Sequence, residues 1–253
     1  MKHSRTLALG VLAAASLSVS ALALPLAAQA SPGAAVAKSS GTPANIRVEG
    51  ISKTLLAETT VLTRAASIDP DGKPADTCEG DTAAVALQDA THGHWTAGSY
   101  FSGLGYSVAG ILGESYPFTS SYYWSFWVNG KVASAGICGT ALHRGEKLLF
   151  FPQCSQESAS ACPQSMFDPA VLAIKAAAKV KVGKALAVNV SALANLTGKP
   201  SPGAGVKLGA GGKTVTTDAS GKAKLKFIKA GRYKIVASAP NSVRDELTVK
   251  VSR

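Results

Sequence analysis

Asn129-Gly130 lies between two runs of strand-forming residues, and no other pair constrains the chain as strongly. A two-residue type I′ turn needs positive φ at both central positions, which Asn and Gly tolerate best. The pair predicts a hairpin over 121–139, SYYWSFWVNGKVASAGICG. Pairing outward from the turn sets Val128 opposite Lys131, Phe126 opposite Ala133, Trp124 opposite Ala135 and Tyr122 opposite Ile137. Side chains alternate faces along a strand. One face then carries Tyr122, Trp124, Phe126, Val128, Ala133, Ala135 and Ile137 and reads as core. The other carries Tyr123, Ser125, Trp127, Val132, Ser134 and Gly136. Two readings of that second face stand side by side. Either both faces are packed, one under a helix and one under a loop, or Tyr123 and Trp127 form a platform for a ligand. Rings offer much contact area at low entropic cost, and Ser125 and Ser134 supply hydroxyls beside them. These four residues are the candidate ligand-binding set.

Lys2 and Arg5, the apolar stretch 7–24 and Ala28-Gln29-Ala30 have the layout of a secretory signal with its cut after Ala30. Residues 31–43 are rich in Ser, Ala, Gly and Pro and read as a flexible leader. No later apolar stretch approaches the ~20 residues that span a bilayer, so no transmembrane anchor is expected in the mature chain. The expectation is a soluble, exported protein, secreted or held at the cell wall. Cysteine usage agrees with export. Cys78, Cys138, Cys154 and Cys162 allow three connectivities, of which Cys78–Cys138 with Cys154–Cys162 is expected. The first bridge would tie the hairpin to the segment before a helix. A zinc site competes poorly, because paired Cys-x-x-Cys spacing is missing. One tension exists: simple alternation puts Cys138 on the Trp127 face, which a bulge at Gly136 would reverse.

Charge divides the chain. Residues 44–165 hold seven Lys/Arg against eleven Asp/Glu, whereas 168–253 hold sixteen against four. The asymmetry predicts two domains and an anionic contact for the second, such as a wall polymer or an acidic surface protein. Nucleic acid is not expected, because the lysines alternate along strands and no reader motif is present. The competing explanation is that lysine solubilises strand faces and blunts edges.

Strands are expected at 45–49 and 54–64, then an acidic loop at 67–81. Its Asp69-Pro70-Asp71-Gly72 start has a calcium-loop look but lacks the further acids and terminal Glu of one. Asp81 or Thr82 is expected to cap a helix running to about Thr91, buried along Ala84, Leu87 and Ala90, with Gly93 ending it. His92 and His94 read as a surface loop, so no metal is expected. Residues 95–106 look irregular, 108–114 like a short strand or turn, 144–146 like a tight turn and 147–152 like a strand. Residues 153–168 form a linker with a cysteine loop. Beyond it, runs at 171–175, 179–182, 186–190, 205–208, 214–217, 223–227, 233–237 and 247–251 alternate with turn residues. Roughly seven strands in ~85 residues suggest an immunoglobulin-like sandwich.

The order strand-Gly-strand, a Cys before an Ala-rich helix, the hairpin Tyr-Trp-x-Phe-x-Val-Asn-Gly, Gly-x-Cys and Gly-Glu-Lys-Leu-Leu-Phe resembles the transcobalamin C-terminal-like domain family of exported bacterial proteins. The resemblance covers roughly 44–153. It implies a small β-grasp-like α+β domain, which in transcobalamin-type carriers closes over cobalamin held against a large helical domain. No such helical domain stands in this sequence, and no ligand residue is carried over. The second part is similar to bacterial immunoglobulin-like modules through Thr-Asp-Ala-Ser-Gly-Lys-Ala and Ala-Gly-Arg-Tyr-Lys-Ile.

The expected organisation is therefore a signal at 1–30, a leader at 31–43, an α+β domain at 44–153, a linker at 154–167 and an all-β sandwich at 168–253. The expected function is non-catalytic binding at the cell envelope, without cofactor. Recognition would lie on the aromatic hairpin, with the basic sandwich as spacer or wall contact. A corrinoid-like carrier is the alternative. A secreted hydrolase ranks below it: G-x-S-x-G and H-E-x-x-H are missing, and His143, Glu146 and Glu114 have no evident nucleophile to serve.

Overall fold

The computed structural model describes residues 41–102, 104–117, 120–155, 161–162 and 166–253. The expected signal and most of the leader and cysteine loop lie outside the described residues. Among the described residues no helix is long and apolar enough to cross a membrane.

The chain is mostly β. Its N-terminal part holds β1 (Pro43–Glu49), β2 (Thr54–Leu62), α1 (Ala83–Ala90), β3 (Trp95–Phe101), β4 (Gly105–Ile111), β5 (Glu114–Ser115), β6 (Tyr122–Val128), β7 (Lys131–Val132) and β8 (Lys147–Cys154). Five of these strands form one sheet in the order β2-β1-β8-β6-β7. The β1–β8 pair is parallel and the other pairs are antiparallel. A separate sheet, β3-β4-β5, completes this part.

Alternation along the central strands sorts side chains to two cores. Ile46 and Val48 of β1, Leu148 and Phe150 of β8 and Trp124 of β6 pack with Leu87 and the alanines of α1. Leu149, Phe151 and Trp127 point to the opposite face and form a second cluster. The helix is buried around most of its girth, Ala83 to Leu87 being fully enclosed. Small side chains allow that, since Ala permits close approach without loss of helix propensity.

The start of α1 differs from expectation. Neither Asp81 nor Thr82 caps it through its side chain. Thr82 Oγ1 donates instead to Glu79 O at 2.8 Å. The helix's free N–H groups are met by backbone: Ala83 N donates to Thr140 O at 3.0 Å and Ala84 N to Ile137 O at 3.1 Å. The Asp81 carboxylate accepts from Thr42 N at 2.9 Å and from the Thr63 hydroxyl. It thus fastens the ends of β1 and β2 to the helix.

Residues 95–106, expected to be irregular, form the β3–β4 hairpin. Register shifts between Thr96 and Ala97 and between Ala97 and Tyr100 break the simple alternation that would have revealed it. Trp95 Nε1 donates to Gln88 Oε1 at 2.6 Å, joining β3 to the helix.

The C-terminal part contains β9 (Ala170–Ala176), β10 (Lys179–Lys181), β11 (Ala185–Leu193), β12 (Pro200–Pro202), β13 (Lys207–Ala210), β14 (Lys213–Thr216), β15 (Lys222–Lys226), β16 (Gly231–Ser238), β17 (Ser242–Val243) and β18 (Asp245–Ser252). The order is β10-β18-β16-β13-β14 in one sheet and β12-β11-β9-β17 in the other, with β15 beside β11. Leu172, Leu186, Val188, Val190 and Leu225 of one sheet share a core with Leu208, Ile235, Ala237, Val249 and Val251 of the other. All eight expected runs overlap strands; β12 and β17, three and two residues long, fall outside them.

The two parts touch extensively, and the described residues form one compact unit. Trp127, Leu149 and Phe151 pack with Val171 of β9 and Val243 of β17. Beside this apolar contact lies a charged one. Arg47 Nη1 sits 2.7 Å from Asp245 and 3.3 Å from Glu49, and Arg244 Nη2 sits 3.0 Å from Glu49. Arg244 also donates to Ile51 O and Gly50 O, while Arg47 donates to Arg244 O. Burial pushes the Glu49 carboxyl above its ordinary range against the pull of the two guanidiniums.

Removing one partner from a buried ion pair leaves the other uncompensated, at a cost of about 3 kcal/mol. Arg244→Ala is expected to lower unfolding free energy by that order in urea denaturation. Because every Trp lies in the N-terminal part, coincident Trp-fluorescence and far-ultraviolet transitions would show the wild-type parts unfolding together. The hydrogen bond from Thr63, then that from Thr42, holds the Asp81 carboxyl below its ordinary 3.8. Its stabilisation is thus present above that value and lost as pH falls through the lowered one. Asp81→Asn should flatten the acid limb of the stability profile below pH 3.8 while lowering stability at pH 7.

Candidate functional site

The turn at Asn129-Gly130 forms with φ of 51° and 79°, and Val128 pairs with Lys131 as the sequence requires. The hairpin is nevertheless shorter than expected. Trp127 pairs with Val132, Ala133 N donates to Phe126 O at 3.0 Å, and there the second strand leaves. The expected pairs Trp124–Ala135 and Tyr122–Ile137 do not form. The chain turns away to deliver the Ile137 and Thr140 carbonyls to the helix and Cys138 to Cys78. Leaving the strand, not a bulge within it, resolves the orientation of Cys138. Gly136 is needed for the new course: a Cβ there would come within 1.9 Å of Leu104 O.

Both disulfides, Cys78–Cys138 and Cys154–Cys162, are present and no described cysteine is free. The first joins the segment before the helix to the loop after the hairpin. The second stands at the junction of the two parts, where Cys154 and Cys162 are buried with Tyr122 and Met166.

Early departure of the second strand leaves one edge of β6 open. From Tyr123 to Ser125 its ladder partner is β8, on one side only. Trp124 faces Pro152 across that ladder, a position at which proline loses no bond. The Trp124 backbone N–H and C=O therefore point to the open side.

A hollow of ≈ 400 Å³ lies along this edge. Phe101, Tyr106 and Val108 of the β3–β4 hairpin form one wall, and Val132, Ala133, Ala135 and Ile137 another. Tyr123, Trp124 and Ser125 line the strand side, and Leu196 reaches over from the β11–β12 turn. The rim is apolar and exposed: Phe101 is 40 % exposed, Tyr123 43 %, Val132 37 % and Leu196 65 %. Burial pushes the Tyr123 hydroxyl above its ordinary value of 10.0, so it is a neutral donor at physiological pH. Tyr106 Oη, at the back wall, donates to Asp71 at 2.6 Å. That bond, ahead of the contact with Lys73, holds the Asp71 carboxyl below its ordinary range.

The four candidate residues separate. Tyr123 and Ser125 line the hollow; Ser134 is exposed and stands outside its lining. Trp127 is fully buried and cannot be one half of an open platform. The reason is the second core: β9 and β17 cover the part of the sheet where Trp127 lies, and Trp127 meets Phe151 at 5.8 Å between ring centres. Of the two sequence readings, packing holds for Trp127, with strands and not a loop as the cover. Phe101, Val132 and Leu196 were not foreseen as rim residues. Exposed apolar side chains carry no sequence mark unless the neighbouring strand edge is known to be open.

The groups considered for acid–base chemistry are dispersed. Glu114 accepts from Tyr116 Oη at 2.7 Å and from Ile51 N at 3.2 Å. Asp81 is held by Thr42 and Thr63, and Asp71 by Tyr106 and Lys73. His143 is 85 % exposed, 3.8 Å from Glu146. Among the described residues no group of three or more His, Cys, Asp and Glu is placed to hold a metal ion. No protein-family model matches the chain, and no curated protein matches it.

Truncating a buried Trp costs about 3–5 kcal/mol, whereas an exposed ring away from special contacts costs within about 0.5. Trp127→Ala should therefore destabilise by several kcal/mol in urea titrations and Tyr123→Ala only marginally. Comparable losses from the two would mean that Tyr123 is a packing residue.

Proposed function

We propose that this protein is an exported, non-catalytic binding protein of the cell envelope, with its recognition site at the open edge of β6. The observation that carries the reading is the hollow beside Tyr123. Its ≈ 400 Å³ falls within the size range of ligand pockets, and most of its lining is apolar with a few hydroxyls and backbone groups to orient a ligand. An exposed rim of Phe101, Tyr123, Val132 and Leu196 is an apolar surface of the kind that marks interaction sites.

Export is supported by the basic and apolar start of the chain and by two disulfides, which persist in oxidising compartments. The sheet order β2-β1-β8-β6-β7, with its central parallel pair and a helix after β2, supports a β-grasp-like first domain. The two stacked sheets beyond residue 168 support an immunoglobulin-like second domain. Together they keep the transcobalamin C-terminal-like resemblance in play. A corrinoid exceeds the volume of the hollow, so it would lie across the rim and not inside; small apolar or aromatic ligands suit the hollow better.

A fragment screen by nuclear magnetic resonance tests the reading. Aromatic fragments are expected to shift the Tyr123, Ser125 and Val132 amides, and Val132→Glu should abolish those shifts by placing a charge in the apolar rim. Shifts that survive Val132→Glu, or a screen without hits there, would refute the site. Equilibrium dialysis against cobalamin, with Trp fluorescence as a second readout, decides the corrinoid reading.

A further inference from the structure

The strongest unassigned feature is a basic track across the C-terminal part, far in sequence from the hollow at β6 and independent of it. β15 pairs only with β11 and is an edge strand. It exposes Lys222, Lys224 and Lys226 and buries Leu225. Same-face residues along a strand repeat every ~6.7 Å, so these three ammonium groups form a regular ladder.

Two hollows flank the ladder and share Lys224. One, of ≈ 480 Å³, is bounded by Lys213 of β14, Lys224, Lys226 and Lys229, with Phe227 and Tyr233 among its lining. Those two rings lie 4.5 Å apart. The other, of ≈ 540 Å³, is bounded by Lys175 of β9, Lys222 and Lys224, beside Ala187 and Asn189 of β11. Six lysines from four separate segments thus converge on one continuous path. None of the six has a carboxylate within ion-pair distance among the described residues, whereas Lys73, Lys147 and Lys234 do. The single acid on the path, Asp218, uses Oδ1 to accept from Ser220 N, Ser220 Oγ and Lys222 N in its own turn.

Edge protection alone accounts for lysines on β15. It does not account for Lys175, Lys213 and Lys229 converging from other segments, nor for an aromatic pair beside them. Gathering six like charges with Asp218, close to Lys222, as the one acid among them costs self-repulsion, which an anionic ligand relieves. We propose that this track binds a linear anionic glycan or polyol chain, its phosphate or carboxylate groups stepping along the lysine ladder and its carbon backbone lying against Tyr233. Such a chain is flexible enough to pass from one hollow to the next, and its charge repeat needs only to approximate the strand repeat.

The test uses the whole exported chain. Long-chain inorganic polyphosphate and polygalacturonate serve as phosphate and carboxylate probes, dextran as the neutral control and a single-stranded DNA oligonucleotide as the competing class. Binding to at least one of the two polymers is expected, weakening steeply with added salt as the Debye length shrinks. Whichever polymer binds more tightly identifies the anionic group. The double variant Lys224→Glu/Lys226→Glu should weaken binding about tenfold or more, since it deletes two attractions and adds two repulsions. Lys179→Glu/Lys181→Glu changes net charge equally on β10, an edge of the opposite sheet, and should weaken it less than about threefold. Equal loss in the two double variants would reduce the effect to net charge and overturn the track, as would failure of both polymers to bind. Tighter binding of the oligonucleotide than of either polymer would overturn the ligand class. Thermal melts of both variants confirm that the fold is intact, and Lys224→Gln/Lys226→Gln should give an intermediate loss.

Discussion

The strand Lys147–Cys154 holds the molecule together. It lies between β1 and β6, and all but its first residue are buried. A strand covered on both faces must be apolar on both, which is why its sequence reads LLFF without alternation. Leu148 and Phe150 supply the core under the helix, whereas Leu149 and Phe151 supply the core under β9 and β17. Two of the four residues thus serve the core under the helix and two serve the core between the parts, while the sandwich has a further core of its own.

From that shared strand follows the arrangement of β1. Its apolar residues, Ile46 and Val48, face the helix; Arg47 and Glu49 face the C-terminal part. Two guanidiniums and two carboxylates meet where the parts join, and Arg244 spends further donors on the carbonyls of Gly50 and Ile51. Apolar contact supplies the driving force there, and the charged cluster fixes the orientation, since its bonds are directional where Trp127 against Val171 and Val243 is not.

The strands with regular alternation were legible in the sequence: β1, β2, β6 and nearly all the sandwich. So were the turn at Asn129-Gly130 and the cysteine pairing, because both follow from local chemistry or from compartment. What escaped was non-local. The helix cap is backbone from Ile137 and Thr140, more than fifty residues from Ala83, and no residue type announces a carbonyl. The β3–β4 hairpin was hidden by its register shifts. Trp127 could be read either as packed or as half of a ligand platform because the sequence showed a second sheet system but not where it would dock. Tyr123, two turns of the pleat away on the same face, stays in solvent because the cover ends before reaching it.

The burial of Trp127 also bears on how such a chain can be rearranged. Domains joined through exposed linkers with few crossing contacts are commonly portable. Here the seam contains an indole, the apolar side chains of Leu149, Phe151, Val171 and Val243 and four charges, so detaching either piece would lay bare a surface built for concealment. Recombination that swaps the C-terminal piece must therefore carry a matching socket for that indole, and this ties the inheritance of the two pieces together.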